Sequence, residues 1–350
     1  MQKQLNMVAK DNIQKVLDSN CCIGCGACAY MSKCQMKLNK FGEYIPDFKQ
    51  DSKSALKNEE ASTKVCPFLS PELNEDIIGN SLFQSSPHFN DKIGYYWGCF
   101  GAYVKSADIR NNSTSGGFGT WLGLKLLDCG LIDGVIHAKS VEPQSNNGAL
   151  FKYQISKDIT SIKAGAKTRY HVLEMSEVLR EVRELDGKFL FIGVPCFVKS
   201  IRRIQKIDSI IKEKIPFTIS LVCGHYKSIN WTRSLAWGAG ISPKDLSKFQ
   251  YRTKGAKIDP RAYVFKALSY DGREVQKDSA NIVGGKFNAG AMMPNACNYC
   301  DDVVGETSDI TIGDAWLPKF DTNKGGTNLL IIRNKQIYDI ILESERLGEV

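Results

Sequence analysis

Three cysteines fall within seven residues, Cys22-Ile23-Gly24-Cys25-Gly26-Ala27-Cys28, and no other stretch narrows the folding of this chain as much. The spacing C-x2-C-x2-C lets one tight loop set three thiols around a compact inorganic body. The small residues between them admit backbone N–H groups close to its sulfides. Zinc sites usually come as separated pairs, C-x2-C with a second C-x2-C or with histidines. The spacing therefore points to a 4Fe–4S cluster. Two residues compete as its fourth ligand, Cys34 and, further on, Cys66 in Val65-Cys66-Pro67. The remote Cys-Pro pair favours Cys66, with Cys21 as a neighbour rather than a ligand.

Twelve cysteines in 350 residues need a compartment as well as a chemistry. A chain of this length, 43% hydrophobic, buries a core without disulfide staples, which excludes a small secreted scaffold. Its first residues are polar and charged, unlike a signal peptide. Apolar runs such as Phe189–Val194 stop well short of the roughly 20 residues of a membrane helix. The expectation is a cytoplasmic protein, with no membrane partner and thiols free for metal or redox work. Charge is uneven: residues 151–270 hold 23 lysines and arginines against 10 acidic residues, in a chain of net charge +8. A basic centre suits a phosphate-bearing cofactor, an anionic substrate or an acidic protein partner, and solvated helix faces account for part of it. With no zinc-finger, RRM or KH signature, no nucleic-acid partner is expected.

Residues 5–18 allow a short amphipathic helix through Leu5, Val8, Ile13, Val16 and Leu17. A cysteine-rich loop, 21–34, and a polar, turn-rich stretch, 35–65, follow, including the turn at 49–53. From about residue 95 helices and strands alternate. Helices are predicted over Gly116–Leu127, Leu173–Leu185, Phe197–Ile211 and Gln336–Leu347. Strands are predicted over Gly134–Ala138, Lys188–Gly193, Pro216–Val222, Asp309–Gly313 and Asn328–Arg333. The alternation argues for an α/β fold with a central, partly parallel sheet, preceded by a small irregular ferredoxin-like segment. The divisions read as 1–90, 91–175 and 176–350.

Cys196 and Cys223 each lie just beyond one of these strands. If the two strands are parallel neighbours, both thiols emerge at the carboxyl edge where such sheets place ligands. Cys297 and Cys300 add a C-x2-C pair. The four suit a second 4Fe–4S cluster, a zinc site or no metal at all. Cys99 and Cys129 read as small buried hydrophobes. His225 reads as a ligand, a proton donor or a satisfied loop histidine, and His171 stands in another suggestive loop. Asn112-Ser113-Thr114-Ser115-Gly116-Gly117 leads into a helix whose start attracts phosphate, its hydroxyls capping and its glycines allowing close approach. Lys163–Tyr170 is a second basic loop, and Gly325-Gly326-Thr327-Asn328 a third candidate or a simple turn. A flavin would convert the single electrons of a cluster into the pairs that organic substrates take.

At this point the sequence resembles the beta-subunit family of coenzyme F420-reducing hydrogenases and dehydrogenases, which includes 7-hydroxymethyl chlorophyll a reductase. The matching pieces are Cys22–Cys28, Val65–Pro67, Ser113–Gly117, Gly130–Val135, Phe191–Cys196, Cys223–His225, Cys297–Asp301, Ser308–Trp316 and Gly326–Asn328. The resemblance implies FAD, bound through Ser113, Thr114, Ser115, Gly116, Gly117, Lys167, Thr168, Arg169, Tyr170 and Asn328. It implies two 4Fe–4S clusters, on Cys22, Cys25, Cys28 and Cys66 and on Cys196, Cys223, Cys297 and Cys300. Its partners would be ferredoxin or another low-potential electron donor and a small-molecule substrate, with an oligomer possible. Many relatives run further beyond Arg333. The function implied is an iron–sulfur flavoprotein oxidoreductase, acting as a stand-alone reductase with His225 as candidate catalytic residue. The alternatives are an electron-relay subunit of a hydrogenase or dehydrogenase complex, and a zinc-stabilised binding protein without redox chemistry.

Overall fold

The computed structural model describes residues 12–48, 55–253, 264–321, 323 and 325–350. The first helix runs Ile13–Asp18, capped by the Asn12 side chain accepting from Lys15 N–H. Residues 5–11 of the expected helix, with Leu5 and Val8, lie outside the described residues, as does the turn at 49–53.

The centre is a seven-stranded sheet in the order Gly98–Ala102, Asn328–Ile332, Ile310–Asp314, Phe217–Leu221, Phe189–Gly193, Gly134–Ser140, Phe151–Ser156. The four strands from Ile310–Asp314 to Gly134–Ser140 are parallel to their neighbours within that group, and the flanking three run antiparallel. Alternate residues of one strand therefore enter opposite cores. Phe189 and Phe191 pack with Phe197, Ile201 and Leu179 on one face. Leu190, in register with Phe217, packs on the other with Trp121, Leu122 and Ile337. Both faces are covered, as central parallel strands require, and each fully buried Phe contributes roughly 1.5–3 kcal/mol.

Three expectations are corrected. The helix read over Phe197–Ile211 is two helices, Pro195–Ile207 and Ser209–Lys214. Asp208 breaks it, because its carboxylate accepts from Ile210 and Ile211 N–H and caps the second. The polar stretch 35–65 holds a hairpin, Gln35–Leu38 with Tyr44–Asp47, and a helix, Ala55–Val65. Cys99 and Cys129 are exposed, not buried. Cys99 lies on the strand at the sheet's edge and Cys129 at the C-cap of the helix Phe118–Asp128, so neither meets a second layer.

Candidate redox site

The loop from Cys22 to Cys28 turns through Gly24 and Gly26 at φ of 71° and 82°, left-handed positions that favour glycine. Gly26 has a further reason, since a Cβ there would lie 2.6 Å from the Glu174 carboxylate. Cys66 follows the helix Ala55–Val65. Cys22, Cys25, Cys28 and Cys66 line one small cavity whose other walls include Ile13, Val16, Ile23, Met36 and Phe68. Cys34 does not line it; its carbonyl accepts from Arg180 at 2.8 Å. Cys21 lies outside as well, near Ser19 O and the Asn295 amide. Burial pushes the Cys66 thiol up to about 12 and raises Cys22, Cys25 and Cys28 as well. Neighbouring thiols add to the rise, so thiolates form here only in exchange for a bound cation.

The helix Pro195–Ile207 runs from one cysteine set to the other. Cys196 is its second residue, with Pro195 at the favoured first position. One turn on, Ser200 donates to Cys196 O at 2.8 Å while its oxygen lies 3.6 Å from the Cys25 sulfur. A turn further, the buried Arg203 guanidinium collects the carbonyls of Cys66, Leu69, Ser70 and Leu73. Tyr153 stacks on Phe191 at 5.2 Å, and burial raises its hydroxyl, with Cys196 and Cys25 near enough to add to the effect.

The strands Phe189–Gly193 and Phe217–Leu221 are parallel neighbours, so Cys196 and Cys223 leave the sheet at one edge. Cys297 and Cys300 reach the same place from the turn Asn295–Tyr299 and its end. Burial raises Cys223 to about 12 and Cys300 to about 11, lifts Cys196 and Cys297, and the thiols of this set reinforce one another. Tyr226 N–H points at the Cys297 sulfur at 3.3 Å. Among the described residues, no three His, Cys, Asp or Glu side chains draw together closely enough to hold a single metal ion. A cubane has no such need, because each cysteine binds its own iron.

Beyond Cys223 opens a cleft of about 440 Å³, within the range of small-molecule sites. Its walls include Ser113–Ser115, Gly117, Lys167–Tyr170, Cys223–Lys227 and Asn328. Gly117 itself caps the helix Phe118–Asp128 at φ 93°, with no side-chain cap, so the expected hydroxyl capping is corrected. Ser113 and Ser115 instead donate to Ile109 O and Thr327 O, and Asn328 Oδ1 accepts from Phe118 N–H. Lys167 holds φ at 81°, and Thr168 meets Thr114 at 3.0 Å. Arg169 lies half-buried over the Phe151 ring with its buried Nε unpartnered, and desolvation lowers it to about 10. An orphaned guanidinium N–H in the cleft wall fits a site built for an anionic group. Tyr170 is wedged against Trp231, Tyr251 and Phe287.

His225 stacks on Phe287 at 4.2 Å, and its Nε2–H donates to Phe287 O at 2.9 Å. Burial lowers its pKa, aided by Lys227, so Nδ1 of this cleft-lining ring is left as an acceptor. His171 is not in the cleft. It is fully buried, accepting from Leu150 N–H and bonding Thr232 and Tyr251. Sequence reasoning passed over Tyr153, Lys227, Arg252 and its ion pair with Asp314 at 2.5 Å, all in the cleft wall. Only Asp314 carried a signal, inside the Ser308–Trp316 motif.

A strand-end thiol, Cys223, in the wall of a cation-lined cleft on an open α/β sheet is a setting suited to an electron-transfer oxidoreductase. Residues 99–180 match the description "Coenzyme F420 hydrogenase/dehydrogenase, beta subunit N-term", and residues 186–349 the corresponding C terminus. The chain belongs to this coenzyme F420 hydrogenase/dehydrogenase beta-subunit family, a family of iron–sulfur electron-transfer subunits. It is 23% identical over 348 residues to an uncharacterised protein of Methanocaldococcus jannaschii, covering 92% of this chain and 86% of that one. Its fold is similar to a chain in a xenon-derivatised structure of the F420-reducing [NiFe] hydrogenase complex from Methanosarcina barkeri. The TM-score is 0.56 at 21% identity, covering 75% of this chain and 83% of that one. No helix among the described residues is long and apolar enough to cross a membrane.

Proposed function

We propose that this chain moves electrons between a low-potential donor, such as a ferredoxin, and a substrate. The path runs through a 4Fe–4S cluster on Cys22, Cys25, Cys28 and Cys66, a second on Cys196, Cys223, Cys297 and Cys300, and FAD in the cleft. The observation that carries this reading is the helix Pro195–Ile207. It places Cys196 of one set, the Ser200 contact to Cys25 of the other, and the Arg203 clasp on the Cys66 loop on successive turns. One rigid rod therefore fixes the spacing of both sets, and Cys223 of the second stands in the cleft wall.

FAD, when bound, supplies the conversion between single electrons and pairs. The chain's own residues do the rest. Lys167, Arg169 and the start of the helix Phe118–Asp128 would hold its phosphates. Thr114 and Thr168 fix the two loops against one another, Asn328 ties the helix start to Gly313 O, and the aromatic wedge around Tyr170 keeps water out. His225, with its Nε2 proton committed to Phe287 O, accepts a proton or hydrogen bond through Nδ1.

Two working forms share this site. One is a stand-alone reductase whose organic substrate docks near the Gly193–Cys196 edge. The other is a relay subunit, favoured by the likeness to a chain of a hydrogenase complex. Anaerobic purification tests the shared core. The expected result is broad absorbance near 400 nm bleached by dithionite, about eight iron atoms per chain and released FAD. A colourless protein holding only zinc would sink it in favour of the binding-protein reading. A relay subunit copurifies with a larger catalytic chain, whereas a stand-alone reductase turns over alone.

A further inference from the structure

Lys227 has no solvent exposure. Lysines are almost never fully buried unless paired, and among the described residues no carboxylate pairs with this one. Its ammonium donates to Ala291 O at 2.8 Å and otherwise sits between two aromatic faces, 5.2 Å from the Trp231 ring and 5.1 Å from Phe287. The rings and one carbonyl favour the cation but leave its charge uncancelled. One side of this cage is the cleft wall. On the other is Cys297, close enough to act on the Lys227 charge, with the preceding residue's N–H on the Cys297 sulfur. An uncompensated buried cation at the junction of a thiolate set and a cleft is stabilising only when negative charge accumulates there.

We infer that Lys227 is the fixed counter-charge for the electron held at the second cysteine set, and that it raises the reduction potential of that centre. The inference rests on the two-cluster reading above, which both working forms share. One electron taken from an external one-electron reductant adds one negative charge to the centre, with no bond made and no proton required. Lys227 offsets that charge from a low-dielectric site, where its effect is strong. It is a positioning charge, not a catalytic residue.

The test is a redox titration of the iron-loaded protein with dithionite, followed by absorbance and paramagnetic resonance. The two centres are assigned by the loss of the first in Cys66→Ala. In Lys227→Met the equilibrium constant for reducing the second centre falls at least tenfold, 59 mV for one electron. The first centre does not move, and Lys227→Arg keeps the wild-type value within threefold. Metal-free Lys227→Met melts no lower than wild type, because an apolar chain fills the aromatic cage without an unpaired charge. A lysine that merely props the fold would show the reverse: lower melting and an unmoved potential. That result, or equal shifts at both centres, overturns the inference. Should Lys227→Met fail to load iron, Lys227→Gln is titrated by the same criteria. If both neutral variants stay folded yet take no second cluster, Lys227 builds the site rather than tuning it, and the inference falls. A wild-type chain that binds no iron would instead overturn the two-cluster reading itself.

Discussion

The two cysteine sets are built in opposite ways. Three of the four thiols in the N-terminal set come from one seven-residue loop, and their cavity is walled by Ile13, Val16, Ile23 and Phe68. The second set is gathered from two strand ends and a distant turn, with Cys300 exposed. Its surroundings are ionic: Glu75, Asp302 raised by burial to about 6, and Lys227; Lys199, which pairs with Glu75, also acts on Cys66 of the first set. A locally encoded site can be insulated, because its ligands arrive with their own loop. A site assembled by topology sits where the sheet opens, at the working face. The contrast suits an inner relay and an outlet.

The largest expected effect breaks one set and spares the other. Cys66→Ala should leave about four irons per chain instead of about eight, with the second set intact. Loss of all iron would show that the sets form as a single unit and would end the comparison. Next comes Arg203, whose guanidinium is the shared donor for four carbonyls of the Cys66 loop. Arg203→Met strands those acceptors in a buried place. It should cost about 3 kcal/mol or more in urea unfolding and speed iron loss from the N-terminal set alone. Equal iron loss from both sets would show that the helix serves them alike.

The N-terminal loop was legible because its chemistry is local, and the carboxyl-edge placement of Cys196 and Cys223 because the flanking strands read as parallel neighbours. The linking helix was opaque. Its Lys199, Arg202, Arg203 and Lys206 fall in the basic centre, part of which reads as solvated helix faces, yet Arg202 and Arg203 are buried, 8% and 1% exposed. A guanidinium finds carbonyls or a carboxylate, such as Asp309 at 2.7 Å from Arg202, only once distant segments are in place. Lys227 is hidden for the same reason, since its aromatic cage joins Trp231 and Phe287 across 56 residues. Sequence periodicity reports which residues seek burial, not which charges the fold can satisfy.

Acid should separate the two regions by a smaller margin. His137, bonded to Ser156, is held near 4 and His171 near 3, mainly by burial, and both belong to the sheet half. A histidine with a folded pKa below its unfolded value of about 6.5 binds more protons when unfolded. Its contribution is therefore full above pH 6.5 and lost as pH falls toward the folded value. For His137 alone this is about 3 kcal/mol between pH 6.5 and 4. Melting followed over that range should fall in wild type and fall less in His137→Gln. An identical slope would place the acid sensitivity elsewhere.

The smallest effect lies at the joint between the regions. Ser200 spends its proton on Cys196 O while its oxygen faces the Cys25 sulfur. Once Cys25 is a thiolate bound to iron, the same hydroxyl can turn and donate to it, releasing the Cys196 carbonyl. Hydrogen bonds to cluster sulfurs raise the potential. Ser200→Ala should therefore lower the N-terminal centre by on the order of tens of millivolts, the scale of one net hydrogen bond, and leave the second centre in place. Ser200→Thr, which keeps the hydroxyl, should restore it. If Ser200→Ala moves the second centre instead, the hydroxyl stays on the Cys196 side when iron is bound, and the N-terminal set draws no part of its potential from it.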